Sequence, residues 1–184
     1  LIPRDLWTLP GIWWKYGEQI QALLARYPLD FVAAGPRITS WDPQVQYQVG
    51  EYTDPWGTGW RNAYAGILGI PIHCPLADFS RFAHYRPPSH LLEEGWDAID
   101  EARHTSPDKF LRVGGPNTFE RMQWLRGLED LLLDIAQDSP RAYWLRDLVL
   151  DWNLRWVRKA AQQSEQARWS FSIATATSSR SSPI

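Results

Sequence analysis

The chain has 184 residues, 44% hydrophobic and 22% charged, which suffices for one domain with a buried core. Its formal net charge of −2 excludes the strongly basic surface on which non-specific nucleic-acid binding depends. The single cysteine, Cys74, excludes an internal disulfide, and no apolar run approaches the ~20 residues of a membrane span. We therefore expect a cytoplasmic protein without nucleic-acid or membrane partners.

The first half of the chain predicts short strands and one helix, separated by irregular segments. The predicted elements are a strand at 2–7, a helix at 14–27, a strand at 28–35, and strand-like pieces at 45–52 and 58–61. A Gly-Pro break at 35–36 ends the second strand.

The second half predicts longer helices around one further strand. The predicted elements are a helix at 88–104 with Ser89 as its N-cap, a strand at 109–115, and helices at 117–138 and 139–163. Ser139 and Pro140 are typical of the start of the last helix. Strands that alternate with helices predict an α/β fold with parallel strands.

Composition divides the chain into two parts. Residues 1–160 have the periodic apolar pattern of a folded domain, whereas residues 161–184 form a Ser/Thr-rich tail without a pattern. We expect this tail to be disordered or to be translated out of frame. Because the chain also lacks an initiator methionine, it is interpreted as a fragment.

The segment "EYTDPWGTGWRN" (51–62) combines the carboxylate of Asp54 with two tryptophans around a pair of glycines, and Arg61 and Asn62 follow directly. It is interpreted either as a surface turn packed by tryptophans or as the wall of a ligand pocket. A third interpretation is a platform on which sugars stack. In the pocket interpretation, Asp54 beside aromatic surface is a candidate for proton chemistry.

The segment "FLRVGGPNTFERMQWLRG" (110–127) predicts a strand that runs through a glycine pair into a helix. Ligands bind at the carboxyl ends of parallel strands, so this turn is a second candidate site, with Asn117 or Thr118 capping the helix. An ordinary loop is the alternative, since the glycine pair matches no phosphate-binding motif. The histidines and Cys74 show no zinc-ligand spacing, and Trp144, Trp152 and Trp156 are interpreted as packing residues.

Four segments together resemble the uroporphyrinogen decarboxylase superfamily, in particular its divergent uroporphyrinogen-decarboxylase-like members. They are "RDLWTLPGIWWKYGE", "EYTDPWGTGW", "GIPIHCPLADFSRFAHYRPP" and "GGPNTFERMQWLRGLEDLLLDI". The resemblance covers about residues 1–160 and implies a partial (β/α)8 TIM barrel, of which the chain supplies the amino-terminal half. Open strand edges of such a half-barrel lead us to expect a homo-oligomer.

The resemblance implies a site around Asp54, whose "YTD" motif is similar to the aspartate motif that binds pyrrole N–H groups in the family. The implied substrate-binding residues are Trp7, Trp14, Trp56, Trp60, Arg61, Asn62, Asn117 and Trp124. Trp124 falls near the position of a family tyrosine, and the segment 7–16 lacks the arginines with which the decarboxylase grips substrate carboxylates.

The implied activity is that of a tetrapyrrole-related carboxy-lyase that needs no cofactor, or of an inactive fragment of one. The alternative within the superfamily is a methyltransferase that uses zinc and a corrinoid, with its metal ligands outside this chain. An alternative of another class is a Trp-rich binding module without catalysis. The expected ligand is a small molecule, either a tetrapyrrole or a methyl donor.

Overall fold

The computed structural model describes residues 3–115 and 117–163. Its helices are α1 (Pro10–Arg26), α2 (Asp97–Thr105), α3 (Thr118–Arg126), α4 (Leu128–Ala136) and α5 (Pro140–Gln163). Its strands are β1 (Phe31–Ala34), β2 (Gly50–Thr53), β3 (Gly59–Asn62), β4 (Ile70–His73) and β5 (Phe110–Val113). The predicted tail lies outside the described residues from position 164 onward.

Two of the strands predicted from the sequence, at 28–35 and 109–115, pair with each other. β1 and β5 run parallel, with Phe31 opposite Phe110 and Ala34 opposite Val113. The expectation of an α/β fold with parallel strands is thereby confirmed. This parallel sheet has only two strands within the described part of the chain. The partial TIM barrel therefore stays a prediction.

A separate antiparallel sheet is inserted between β1 and α2. β2 pairs with β3, and β3 pairs with β4. The loop between β2 and β3 contains Gly57, whose φ of 81° lies in the left-handed region that favours glycine. Residues 50–53 and 59–62 agree with the predicted strand-like pieces, but residues 43–47 form a 3₁₀ helix that Asp42 caps.

Three sequence predictions need correction. Residues 3–9 form no strand; the backbone N–H of Arg4 instead bonds the carboxylate of Asp30. The helix predicted at 88–104 is a 3₁₀ turn followed by α2, separated at Gly95 with its φ of 58°. The helix predicted at 117–138 is two helices, because Gly127 takes a φ of 92°.

Two apolar clusters stabilise the fold, and α5 belongs to both. The larger cluster joins α3, α4 and α5 to the loops around them, and its fully enclosed members are Leu76, Leu92, Leu125, Leu131, Leu145 and Val149. The smaller cluster packs β5 against α2 and α5 through Ile99, Leu111, Val113 and Ala160. Trp156 contacts both clusters, at the end of the sheet where β5 stops.

Within the described residues, every helix is too short or too polar to span a bilayer.

Candidate functional site

A pocket of about 340 Å³ opens between the antiparallel sheet, the carboxyl end of β5 and helices α3 and α5. Its wall consists mainly of aromatic and aliphatic side chains. They are Ile38, Trp41, Pro43, Gln46, Tyr52, Asp54, Pro55, Trp56, Trp60, Leu68, Leu91, Gly114, Gly115, Arg121, Trp124, Trp152 and Trp156. Asp54 and Arg121 are the charged members of this set within the described part of the chain. An apolar wall with a few polar groups is typical of small-molecule sites.

Asp54 is a buried carboxylate that holds the turn between β2 and β3. Its Oδ1 accepts the backbone N–H groups of Trp56 and Thr58, each at 2.9 Å. Its Oδ2 accepts the indole N–H of Trp60 at 3.3 Å and Nη1 of Arg121 at 2.8 Å. Because a carboxylate offers about four lone-pair positions, these contacts use its acceptor capacity.

Arg121 is the cation that faces Asp54 from near the start of α3. Its guanidinium carbon lies 4.7 Å from the ring centroids of both Trp56 and Trp124. The side chain is 15% exposed, and its Nε has no hydrogen-bond partner among the described residues. Burial lowers the pKa of Arg121, while the charge of Asp54 opposes that shift. A guanidinium stays protonated in proteins, so Arg121 is a stacked cation with spare donors.

The aromatic rings fix each other in the wall of the pocket. Tyr52 stacks on Trp60, with centroids 6.1 Å apart and an interplanar angle of 5°. Trp60 meets Trp124 edge to face, with centroids 5.0 Å apart. Burial raises the pKa of Tyr52 to about 12, and the charge of Asp54 adds to this shift. The Tyr52 phenol is therefore protonated at neutral pH and offers a further donor.

The pocket contains four of the residues proposed from the sequence: Asp54, Trp56, Trp60 and Trp124. The first three come from the segment 51–62, which forms a pocket wall and is also a packed turn. Trp56 and Trp60 are each only 5% exposed. Arg121 and Trp152 pack against the Trp56 ring, and Tyr52 and Trp124 pack against the Trp60 ring. Neither ring therefore presents an open face as a sugar platform would.

The proposed wall residues Trp7 and Trp14 lie outside this pocket. Trp7 precedes α1 and is 73% exposed, whereas Trp14 lies on α1 and is 57% exposed. α1 approaches the rest of the fold through Gly11, whose N–H donates to the carbonyl of Gly66 at 2.9 Å. The Trp14 ring lies beside Gly66 and is not among the residues that line the pocket.

The three polar donors proposed from the sequence also lie outside the pocket. Arg61 points to the exposed face of β3 and pairs with Glu51 at 2.8 Å. Asn62 is buried, and its amide donates to the backbone carbonyls of Gln46 and Ile67, which ties loops together. Asn117 caps α3, in agreement with the capping prediction.

Sequence reasoning missed Arg121, Trp152 and Trp156 as pocket residues. Arg121 precedes Trp124 by three positions, so the spacing places both on one helix face. That spacing could have identified the pair. Trp152 and Trp156 were expected to pack, and they do: the Trp152 ring meets Trp56 at 5.0 Å, and the Trp156 indole N–H donates to the Gly114 carbonyl.

Within residues 3–115 and 117–163, no three histidine, cysteine, aspartate or glutamate side chains form a group that could hold a metal ion. No protein-family model matches the chain, and comparisons with curated proteins and with solved structures found no match either. The resemblance read from the sequence therefore stays a hypothesis about function.

Proposed function

We propose that this protein binds a small molecule with flat aromatic rings in the pocket around Asp54 and Arg121, and that a tetrapyrrole is the first candidate. The main support is the composition of the wall, in which aromatic side chains surround one buried ion pair. Flat rings can pack on the half-buried members of this wall, Trp41, Trp124 and Trp156. The proposed chemistry is that of a uroporphyrinogen-decarboxylase-like carboxy-lyase.

The dimensions of the pocket refine this proposal. Its volume of about 340 Å³ lies near the lower end of the range of about 300–1,000 Å³ that small-molecule sites occupy. Such a volume suits one edge of a macrocycle, with the remainder of the ring outside the described wall. The charged pair would then face one substituted edge of the ring, where each acetate side chain loses CO2 and takes up a proton to become a methyl group.

A zinc- and corrinoid-dependent methyltransferase of the same superfamily is the second candidate, because a corrin ring would meet the same aromatic wall. A homo-oligomer would suit either enzyme if the exposed apolar face of α4 were covered in it. That face includes Leu128, Leu132, Leu133 and Ile135. The Trp-rich carbohydrate module is the weaker candidate, since sugar-binding modules are usually all-β and this fold combines strands with helices.

Titration with uroporphyrin and coproporphyrin tests the proposal directly. Binding should quench the intrinsic fluorescence of the chain and shift the Soret absorbance of the porphyrin in a saturable way. Trp41→Ala, in the pocket wall, should weaken this binding, whereas Trp7→Ala, outside the pocket, should leave it unchanged. Absence of saturable binding, or equal effects of the two variants, would reject the porphyrin proposal.

Two further ligands separate the alternatives in the same titration. Tighter binding of cobalamin than of either porphyrin would favour the methyltransferase. Binding of an oligosaccharide in place of both would favour the carbohydrate module. Catalysis is tested by incubating the protein with uroporphyrinogen and separating the oxidised products by chromatography. If the protein is a decarboxylase, we expect porphyrins with fewer carboxyl groups.

A further inference from the structure

We infer that Arg121, and not Asp54, contacts the ligand of this pocket, that Asp54 positions Arg121, and that the ligand presents a carboxylate to the guanidinium. This inference deepens the proposed function, since it concerns the same pocket. The sequence resemblance implies that Asp54 contacts the ligand, whereas the inference assigns this contact to Arg121.

The first argument is the count of hydrogen-bond acceptors. Both oxygens of Asp54 accept two donors each, from Trp56, Thr58, Trp60 and Arg121. A ligand N–H group could reach this carboxylate only by displacing a donor that the fold supplies. Because two of those donors are backbone groups of the β2–β3 turn, such displacement would also open the turn.

The second argument is the count of donors. A guanidinium has about five N–H groups, and Arg121 directs one hydrogen bond to Asp54 within the described part of the chain. Its Nε is buried without a hydrogen-bond partner among the described residues. A pocket with this surplus of donors is completed by a ligand that supplies acceptors.

The third argument is the rigidity of the guanidinium. The ring centroids of Trp56 and Trp124 each lie 4.7 Å from its central carbon, and Asp54 fixes one edge at 2.8 Å. A planar cation held in this way presents its remaining edge with little loss of side-chain entropy on binding. A carboxylate is the preferred partner of a guanidinium N–H group, because the hydrogen bond between them is charge-assisted.

Arg121 thus replaces, from a different element, the arginines that are missing from the segment 7–16. It comes from α3, more than one hundred residues later in the chain than that segment. The aromatic wall and Arg121 together select a flat molecule with a carboxylate at its edge.

The experiment compares three probes with one ring system: 2-naphthoate, 2-naphthamide and 2-naphthamidine. Calorimetric titration of the full chain should give the order carboxylate, amide, amidinium from tightest to weakest. The carboxylate should bind at least about tenfold more tightly than the amide, the effect of one hydrogen bond to a charged group. Tightest binding of the amidinium would identify Asp54 as the contact and overturn the inference.

Arg121→Met keeps the length of the side chain between the two indole rings and removes the guanidinium. It should reduce the preference for the carboxylate over the amide to less than about threefold, because the charge-assisted bond is lost. Arg141→Met is the matched control, since Arg141 also lies over an aromatic ring, that of Phe79, but outside this pocket. The control should keep the full preference.

The paired variant Asp54→Asn with Arg121→Met removes both charges and leaves neither unpaired, so it serves if the single variant does not fold. It should also lack the carboxylate preference. A preference that persists in either variant, or no measurable binding of the carboxylate at millimolar concentration, would overturn the inference.

The naphthoate and porphyrin titrations test the inference and the proposed function separately. Selective, Arg121-dependent naphthoate binding without porphyrin binding would support the inference and reject the tetrapyrrole. Porphyrin binding that is unchanged in Arg121→Met would support the proposed function and reject the inference.

Discussion

Two buried arginine–aspartate pairs lie in the same helical region and differ in what surrounds them. Arg121 pairs with Asp54, and Arg126, five residues later on α3, pairs with Asp134, both at 2.8 Å. Arg126 is further bound by Asp130 at 3.2 Å. Its Nη1 also donates to the carbonyls of residues 76 and 77, so its partners come from two sides.

The different surroundings of the two arginines indicate a structural role for Arg126 and a ligand-binding role for Arg121. Arg126 has acceptors on several sides, and its pairs connect α3 to α4 across Gly127. Arg121 has one acceptor and two indole faces, and its free edge adjoins a pocket. A buried donor is normally satisfied by the fold, so the incomplete pair marks the place where a ligand is expected.

The largest effect should follow from breaking the complete pair. Arg126→Met leaves Asp134, which is only 5% exposed, with an uncompensated charge. We expect the free energy of unfolding to fall by about 3–5 kcal/mol, measured by urea denaturation.

The control for this variant is Arg146→Met, which removes an exposed pair with Asp147. That pair should contribute less than about 1 kcal/mol. Equal losses in the two variants would show that Arg126 has no special structural role.

Asp54→Asn should have the second largest effect. An amide side chain keeps one acceptor but brings an NH₂ group to a position where donors already converge. We expect a loss of about 1.5–3 kcal/mol in the free energy of unfolding, the value of hydrogen bonds to a charged group. Under our inference the variant should still prefer naphthoate over naphthamidine, because Arg121 retains its charge.

Calorimetry of the folded fraction checks that preference. A variant of Asp54 that is as stable as the parent chain would contradict the positioning role, since the turn would then not need the carboxylate.

Arg121→Met should have a smaller effect on stability than either of these changes. Asp54 keeps three donors in this variant and lines the pocket, although its side chain is as buried as that of Asp134. We expect a loss of about 1 kcal/mol in the free energy of unfolding. A loss as large as that of Arg126→Met would remove the distinction between the two pairs.

Sequence reasoning could identify the parts of the fold and site that are local in the chain. α5 follows from Ser139, Pro140 and its apolar period, and the wall segment 51–62 follows from its own residues. The break at Gly127 was missed because apolar residues continue at helical spacing on both sides of it. Only the backbone angle at Gly127 and the pair formed by Arg126 across it reveal two helices.

The missed half of the site depends on distant contacts. Arg121 meets Asp54 across 67 positions of the chain, and Trp152 meets Trp56 through the packing of α5. No local pattern gives these contacts, because they follow from how α3 and α5 pack on the antiparallel sheet. The wall segment can therefore be predicted from a single sequence, whereas the position of Arg121 in the pocket cannot.

A carboxylate outside the core extends the comparison to the surface and should give the smallest effect. Oε2 of Glu94 accepts the backbone N–H groups of Thr39 at 2.8 Å and Ser40 at 2.9 Å. Hydrogen bonds from Ser40 and then Thr39 lower the pKa of Glu94 to about 2 from its ordinary 4.5. Because the folded pKa lies below the unfolded one, the stabilisation is present above about pH 4.5 and is lost as the pH falls toward 2.

Glu94→Gln should therefore lower the free energy of unfolding at pH 7, and its difference from the parent chain should shrink in acid. Urea denaturation between pH 7 and pH 3 measures this, with Glu18→Gln on the exposed face of α1 as control. A difference between Glu94→Gln and the parent chain that does not change with pH would mean that the loop is held by the shape of the side chain, and not by its charge.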